Sequence, residues 1–232
     1  MLGIIGGMGP LASSLFYDMI IKKTGAKTDQ ENLDLILLSH SSMPDRTAAI
    51  LSGEEEKINQ VRDKLYADAK FLEEAGCRAL VVTCNTAHFF IDMVEEEVGV
   101  PFIHLIRETA KEIKRKEPGK KIAVLATDGT IKTKLYQKEI EKQGLEVYIP
   151  GEEIQKKVMS EIYDFVKAGK PADEKIWREI EEDLEKAGCE GGVLACTELS
   201  VVKTELGLGE FYYDPMEIAA DRALEFFKGD KE

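Results

Sequence analysis

The chain has 232 residues with 31 Lys plus Arg against 44 Asp plus Glu, a net charge of −13. This length makes one large domain or two small ones and needs no disulfide staples, and the negative balance disfavours nucleic acid or an anionic membrane as partner while permitting an anionic ligand in a locally basic pocket. A hydrophobic content of 44% excludes general disorder, no run approaches the ~20 apolar residues of a membrane span, and Met1-Leu-Gly-Ile-Ile has no basic n-region of a leader; a cytoplasmic chain with reduced thiols is expected.

Apolar runs over 2–6, 33–39, 79–83, 102–104, 121–126, 146–149, 192–195 and 211–213 read as strands. Between them, 11–24, 54–75, 133–143, 154–168 and 173–187 read as helices. Ala-Gly closes three of these helices, at Gly76, Gly169 and Gly188. The alternation predicts parallel sheets with helices on both faces, and continuously apolar strands such as Leu35-Ile-Leu-Leu suit sheets buried on both sides. The charged stretch 111–121, containing Pro118-Gly119, is the best candidate boundary between two units. Three Asn and five Gln beside abundant Lys and Glu match a thermophile composition.

An internal repeat is the most informative feature. The segment from Leu72 to Cys84 aligns without gaps to that from Leu184 to Cys196, with seven of 13 positions identical at an offset of 112. A fainter match at an offset of 120 pairs Ile5-Gly-Gly-Met-Gly9 with Leu125-Ala-Thr-Asp-Gly129, and Leu15, Phe16 and Ile20 with Leu135, Tyr136 and Ile140. Two similar α/β lobes follow, and the eight-residue difference is expected in the loop around 43–53.

In each repeat a cysteine, Cys84 or Cys196, stands at the carboxyl end of a strand and is followed by polar residues, Asn85-Thr86 or Thr197-Glu198. Ligands of open α/β sheets bind at that end. If the lobes face each other, the two thiols approach one cleft from opposite sides. Such a pair can remove a proton from one face of a carbon and deliver one to the other, provided that one sulfur is a thiolate and the other a thiol. A following helix N-terminus can lower a cysteine pKa and offers N–H groups to a carboxylate, with Asn85, Thr86 and Thr197 as added donors. Zinc would want closer ligand pairs than the spacing of seven seen here; no metal is expected. Cys77 and Cys189, each directly after a helix-ending glycine, read as packing residues. Gly7-Met-Gly-Pro-Leu-Ala12 has the outline of a dinucleotide loop, but the second strand ends Ser39-His-Ser-Ser42 without the acid that such a site wants. The glycines are read instead as letting the backbone approach a small ligand.

Gly6-Gly-Met-Gly-Pro10, Pro44-Asp-Arg-Thr47, Cys84-Asn-Thr-Ala-His88, Ala126-Thr-Asp-Gly-Thr130 and Ala195-Cys-Thr-Glu-Leu199 together resemble the aspartate/glutamate racemase family. The likeness covers essentially the whole chain, in order. It implies cofactor-independent interconversion of L- and D-aspartate, with glutamate as a further substrate, by Cys84 and Cys196. It also implies two mostly parallel-sheet lobes in pseudo-two-fold relation with the active site between them, and a homodimer. The C-terminal helix returns to the first lobe, so the lobes are 1–107 with 214–232, and 108–213. Glutamate racemases typically carry Asp-Ser where Gly7-Met8 stands and His where Glu198 stands, so the likeness leans to aspartate racemases. The substrate contacts it implies are Met8, Arg46, Thr47, Asn85, Thr86, Thr127, Lys167, Thr197 and Glu198. Arg46 and Lys167 match residues for the side-chain carboxylate, which agrees with the need for cations in the cleft of an acidic protein. Two alternatives remain open: broad-specificity racemisation, and a non-catalytic small-molecule binding protein on the same fold.

Overall fold

The computed structural model describes residues 1–116 and 121–228. The first half runs β1 (Leu2–Gly6), α1 (Pro10–Thr24), β2 (Leu35–Ser39), α2 (Arg46–Ser52), α3 (Glu55–Glu74), β3 (Ala79–Val82), α4 (His88–Ile91) and α5 (Leu105–Lys116). The second runs β4 (Lys121–Ala126), α6 (Asp128–Thr133), α7 (Leu135–Lys142), β5 (Glu146–Tyr148), α8 (Glu152–Ser160), a π-helical turn (Glu161–Val166), α9 (Glu174–Lys186), β6 (Gly191–Ala195), α10 (Thr197–Leu206), β7 (Tyr212–Tyr213) and α11 (Pro215–Lys228). Local chemistry sets the ends. Pro10 opens α1, where a missing N–H costs nothing; Asp45 caps α2 by accepting from the Ala48 N–H at 2.7 Å. Gly76, Gly169 and Gly188 take left-handed φ values of 87°, 72° and 69°, as the Ala-Gly stops require.

Both sheets are parallel, in the orders β2-β1-β3 and β5-β4-β6-β7. A single parallel bridge from Phe102 to Leu80 stands where β7 stands in the second sheet, so the two lobes share one strand order. The strand expected over 102–104 reduces to this bridge because His104 and Leu105 turn directly into α5.

The register corrects the position of the length difference between the halves. Leu2 pairs with Leu35 and Ala79, and Ile122 with Val147 and Gly191. Thirty-three residues separate Leu2 from Leu35 but 25 separate Ile122 from Val147. The eight extra residues therefore lie between α1 and β2, in a connection carrying the 3₁₀ turn Asp29–Glu31, and not around 43–53, which folds as α2. Two expected helices are also interrupted. The one over 133–143 begins only at Leu135, because Lys134 takes φ 56° and separates α6 from α7. The one over 154–168 turns π-helical at Glu161. Of the boundary stretch 111–121, residues 111–116 end α5; residues 117–120, with Pro118-Gly119, lie outside the described residues, as do 229–232.

Alternation along the strands fills both faces of each sheet. Leu2 and Ile4 join Ala123, Leu125 and Leu194 in one core shared by the lobes, roofed by α1, α10 and α11. Ile5 and Val82 face a second core under α3, and Val124 and Val193 a third under α5 and α7. Helix α11 packs on α1 and α5, with a 2.8 Å ion pair from Lys23 to Asp221. No helix among the described residues is long and apolar enough to cross a membrane.

Helix α2 meets α6 at Gly129, where a Cβ would lie 2.9 Å from the Thr47 Cα. Gly129→Ala must push α2 away from the second lobe. The expected cost is about 1–3 kcal/mol of overpacking, read as a lower melting temperature.

Candidate active site

Cys196 ends the run of β6 and is the N-cap residue of α10; Cys84 follows β3 after Thr83 and opens a tight turn before α4. Each is 6% exposed. The Thr197 hydroxyl donates to the Thr83 carbonyl at 3.4 Å, so the residue after one cysteine grips the residue before the other. The two cysteine-bearing strand ends thus meet across the lobe boundary.

Their surroundings differ in sign. The Cys196 thiol donates to Glu198 Oε2 at 2.9 Å, and Glu198 Oε1 accepts from Lys167 Nζ at 2.6 Å. Burial pushes the Cys196 thiol well above its ordinary pKa, the Glu198 carboxylate adds to this, and Lys167 opposes it. The lowering expected from the helix N-terminus is therefore overturned at Cys196. Glu198 fits because Gly9 has no side chain: a Cβ there would lie 2.9 Å from Oε1. Beside Cys84 stands a cation instead. Burial would lower the pKa of Arg46, but the Cys84 sulfur, with help from Asp45, holds it above the ordinary value. The Arg46 guanidinium donates to the carbonyls of Met43 (3.3 Å), Pro44 (2.9 Å) and Met8 (3.2 Å). His88 backs Cys84. Its Nδ1 donates to the Cys84 carbonyl at 2.9 Å while Nε2 accepts the Leu105 N–H, and burial drives its pKa down to about 3, which keeps the ring neutral.

A cavity of about 270 Å³ is lined by the turn Gly7 to Gly9 together with Arg46, Lys167 and Glu198, the partners of the two thiols; neither thiol itself belongs to its lining. Gly7 is required in that turn, since at φ 86° a Cβ would meet the His40 backbone N at 2.6 Å. Met8, Arg46, Lys167 and Glu198 thus share the cavity wall. Asn85, Thr86, Thr127 and Thr197 lie in the buried seam between lobes: Thr86 Oγ1 is 3.0 Å from Thr127 Oγ1 and 2.9 Å from Thr130 Oγ1. Thr47 packs against Gly129. A larger cavity, about 560 Å³, sits between the α1–β2 connection and α11 and shares none of these residues. Among the described residues no three His, Cys, Asp or Glu side chains are grouped to hold a metal ion.

The π-helical turn aims Lys167. Its N–H bonds the Ile162 carbonyl, five residues back, at 3.0 Å, and its ammonium lies 5.7 Å from the Tyr163 ring. At the start of that turn Glu161 is fully buried and accepts only from the Asp173 N–H, at 3.2 and 3.3 Å. Burial, with Asp173 and Glu205 nearby, raises its pKa from 4.5 to about 7. Because the folded-state value is the higher one, the stability linked to this proton is full below about 4.5 and is lost as pH rises to about 7. The melting temperature of Glu161→Gln relative to wild type should therefore climb across that window and level off above it; a flat difference would place the titration elsewhere.

Two α/β lobes of like strand order carry a cysteine at each equivalent strand end. The chain belongs to the Asp/Glu/hydantoin racemase family, whose pattern it matches over residues 5–223. The aspartate racemase of Picrophilus torridus has the same fold, with a TM-score of 0.78 and 27% identity, covering 97% of this chain and 92% of that one. An aspartate racemase homologue from Pyrococcus horikoshii superposes with a TM-score of 0.76 at 29% identity, covering 97% of each chain. A broad-specificity amino-acid racemase of Bacillus subtilis is 31% identical over 151 residues, which is 63% of each chain. The chain spans less than two thirds of the length of such curated relatives, with 40% for the glutamate racemase of Aquifex pyrophilus.

Proposed function

We propose that this protein interconverts the enantiomers of an acidic amino acid, aspartate first and glutamate second, without a cofactor. The observation that supports the reading is the Thr197–Thr83 contact, which joins two cysteine-bearing strand ends from opposite lobes. In the resting site Cys196 is the thiol, hydrogen-bonded to Glu198. Cys84, beside Arg46, is the sulfur that abstracts the α-proton as its thiolate, and Cys196 delivers a proton to the opposite face. The reverse reaction exchanges the roles. Asn85, Thr86, Thr127 and Thr197 receive the α-carboxylate. The side-chain carboxylate faces Arg46 and Lys167, whose two positive charges exceed the single negative charge of Glu198 in the cavity wall. Met8 and Thr47 shape the wall. The reading includes lobes of 1–107 with 214–232, and 108–213, in a cytoplasmic homodimer.

Broad specificity is the second reading, favoured by the 31% identity to the Bacillus subtilis enzyme. Purified protein without added cofactor, incubated with a panel of L-amino acids and analysed by chiral chromatography, separates the two. D-aspartate or D-glutamate as the dominant product supports acidic specificity; neutral or basic products of equal yield support the broad reading; no racemisation of any member overturns both.

A further inference from the structure

We propose that Tyr136 is a positioning residue: across the lobe boundary it fixes the Asn85 amide with its NH₂ toward the substrate carboxylate. The inference rests on the racemase reading of the site. Tyr136 belongs to α7 of the second lobe and is fully buried, and its hydroxyl donates to Asn85 Oδ1 at 2.5 Å. Asn85 follows Cys84 and is 2% exposed, yet its Nδ2 has no hydrogen-bond partner. A buried amide with one end held and the other unsatisfied is costly, and the cost is relieved when an acceptor from a ligand arrives. An amide can sit either way round. Here the Tyr136 proton is donated to the oxygen, the orientation that leaves both amide hydrogens for that acceptor.

The internal repeat supplies an independent argument. In the alignment of the two halves Tyr136 corresponds to Phe16, and Asn85 to Thr197. Both rings are fully buried, so the space is filled equally well without a hydroxyl. The hydroxyl occurs on the ring that faces an amide of the opposite half, and the bare ring is the one for which the opposite half offers Thr197 in place of that amide. Burying a hydroxyl without a partner is penalised; here its partner is the amide. Because the two residues come from different lobes, the donor is oriented only when the lobes are seated on each other.

The test is a double-mutant cycle on the full chain with Tyr136→Phe, Asn85→Ala and the double variant. L-aspartate racemisation gives kcat and KM, and calorimetry with L-aspartate gives Kd. Phe at 136 keeps the ring that Phe16 shows to pack, and thermal melts verify folding. Tyr136→Phe should raise KM and Kd by about tenfold, the loss of one oriented hydrogen bond to a charged group, with a smaller change in kcat. The double variant should be no worse than Asn85→Ala alone, since Tyr136 acts through Asn85. Unchanged KM and Kd in Tyr136→Phe, or additive losses in the double variant, would overturn the proposal. Wild-type protein that binds aspartate but does not racemise it would end the racemase reading, while the Kd cycle would still decide the role of Tyr136. Wild-type protein that neither binds nor racemises aspartate would end both.

Discussion

Cys84→Ala and Cys196→Ala should each lower aspartate racemisation by about 10²–10⁴-fold, the contribution of a positioned acid or base. On the two-thiol reading neither sulfur can serve both faces of the substrate, because each is fixed at the end of a strand in its own lobe. Serine at either position should fail as well, since a hydroxyl is a far poorer base than a thiolate near neutral pH. In deuterium oxide the product formed early by the wild type should carry solvent deuterium at Cα, while recovered substrate carries much less. Cys77 and Cys189 are the controls. Cys77 is 2% exposed and packed in the core under α3, and burial raises the pKa of both thiols. Their alanine variants should lose stability at most. Full racemisation by a chain lacking either Cys84 or Cys196 would refute the two-thiol mechanism.

The two cations should separate by kinetic signature. Arg46→Ala removes a guanidinium that faces the cavity and ties together the Met8, Met43 and Pro44 carbonyls. It should raise KM for aspartate at least tenfold, as expected for a desolvated partner of a carboxylate. Lys167→Ala does something further. It strands Glu198, 2% exposed, as a buried charge beside Cys196, so kcat should fall as KM rises. Removing both charges of a buried pair is far less costly than removing one. Lys167→Ala combined with Glu198→Gln should therefore recover part of the lost kcat, though not affinity for the distal carboxylate. Wild-type steady-state constants for both Arg46→Ala and Lys167→Ala would show that the distal carboxylate binds elsewhere.

The halves of the fold were readable in the repeat because an Ala-Gly stop, a cysteine and a buried strand recur at one spacing, and that spacing is set by local chemistry. The placement of the length difference was not readable. A gap between two aligned blocks has no address until strand register supplies one, and Leu35 opposite Leu2 against Val147 opposite Ile122 supplies it. The single bridge at Phe102 has the composition of a strand but lacks the length, and composition was all that the run showed. At the site, the cysteines and the residues after them stood out by position, and Arg46 and Lys167 by charge and resemblance. Glu198 reads from sequence as a substrate contact; its further bonds to Cys196 and Lys167 come only from the fold. That engagement depends on Gly9 leaving room, a contact between residues far apart in the chain. Tyr136 was visible only as the counterpart of Phe16; its hydroxyl acquires meaning from a residue in the other lobe. The π-helical turn left no trace either, since its apolar spacing over six residues resembles that of an ordinary helix.

That turn has an evolutionary corollary. Each residue added to or removed from a helix rotates everything downstream by roughly 100°. Losing one residue from α8 ahead of the turn would swing Lys167 off the cleft wall by that rule, unless the π-helical turn relaxed to ordinary α-helix and absorbed the loss. A lineage could therefore gain or surrender its preference for a second carboxylate through a one-codon insertion or deletion rather than by exchanging the side chain. A comparison of relatives that scores only which amino acid is aligned with Lys167 would miss the event.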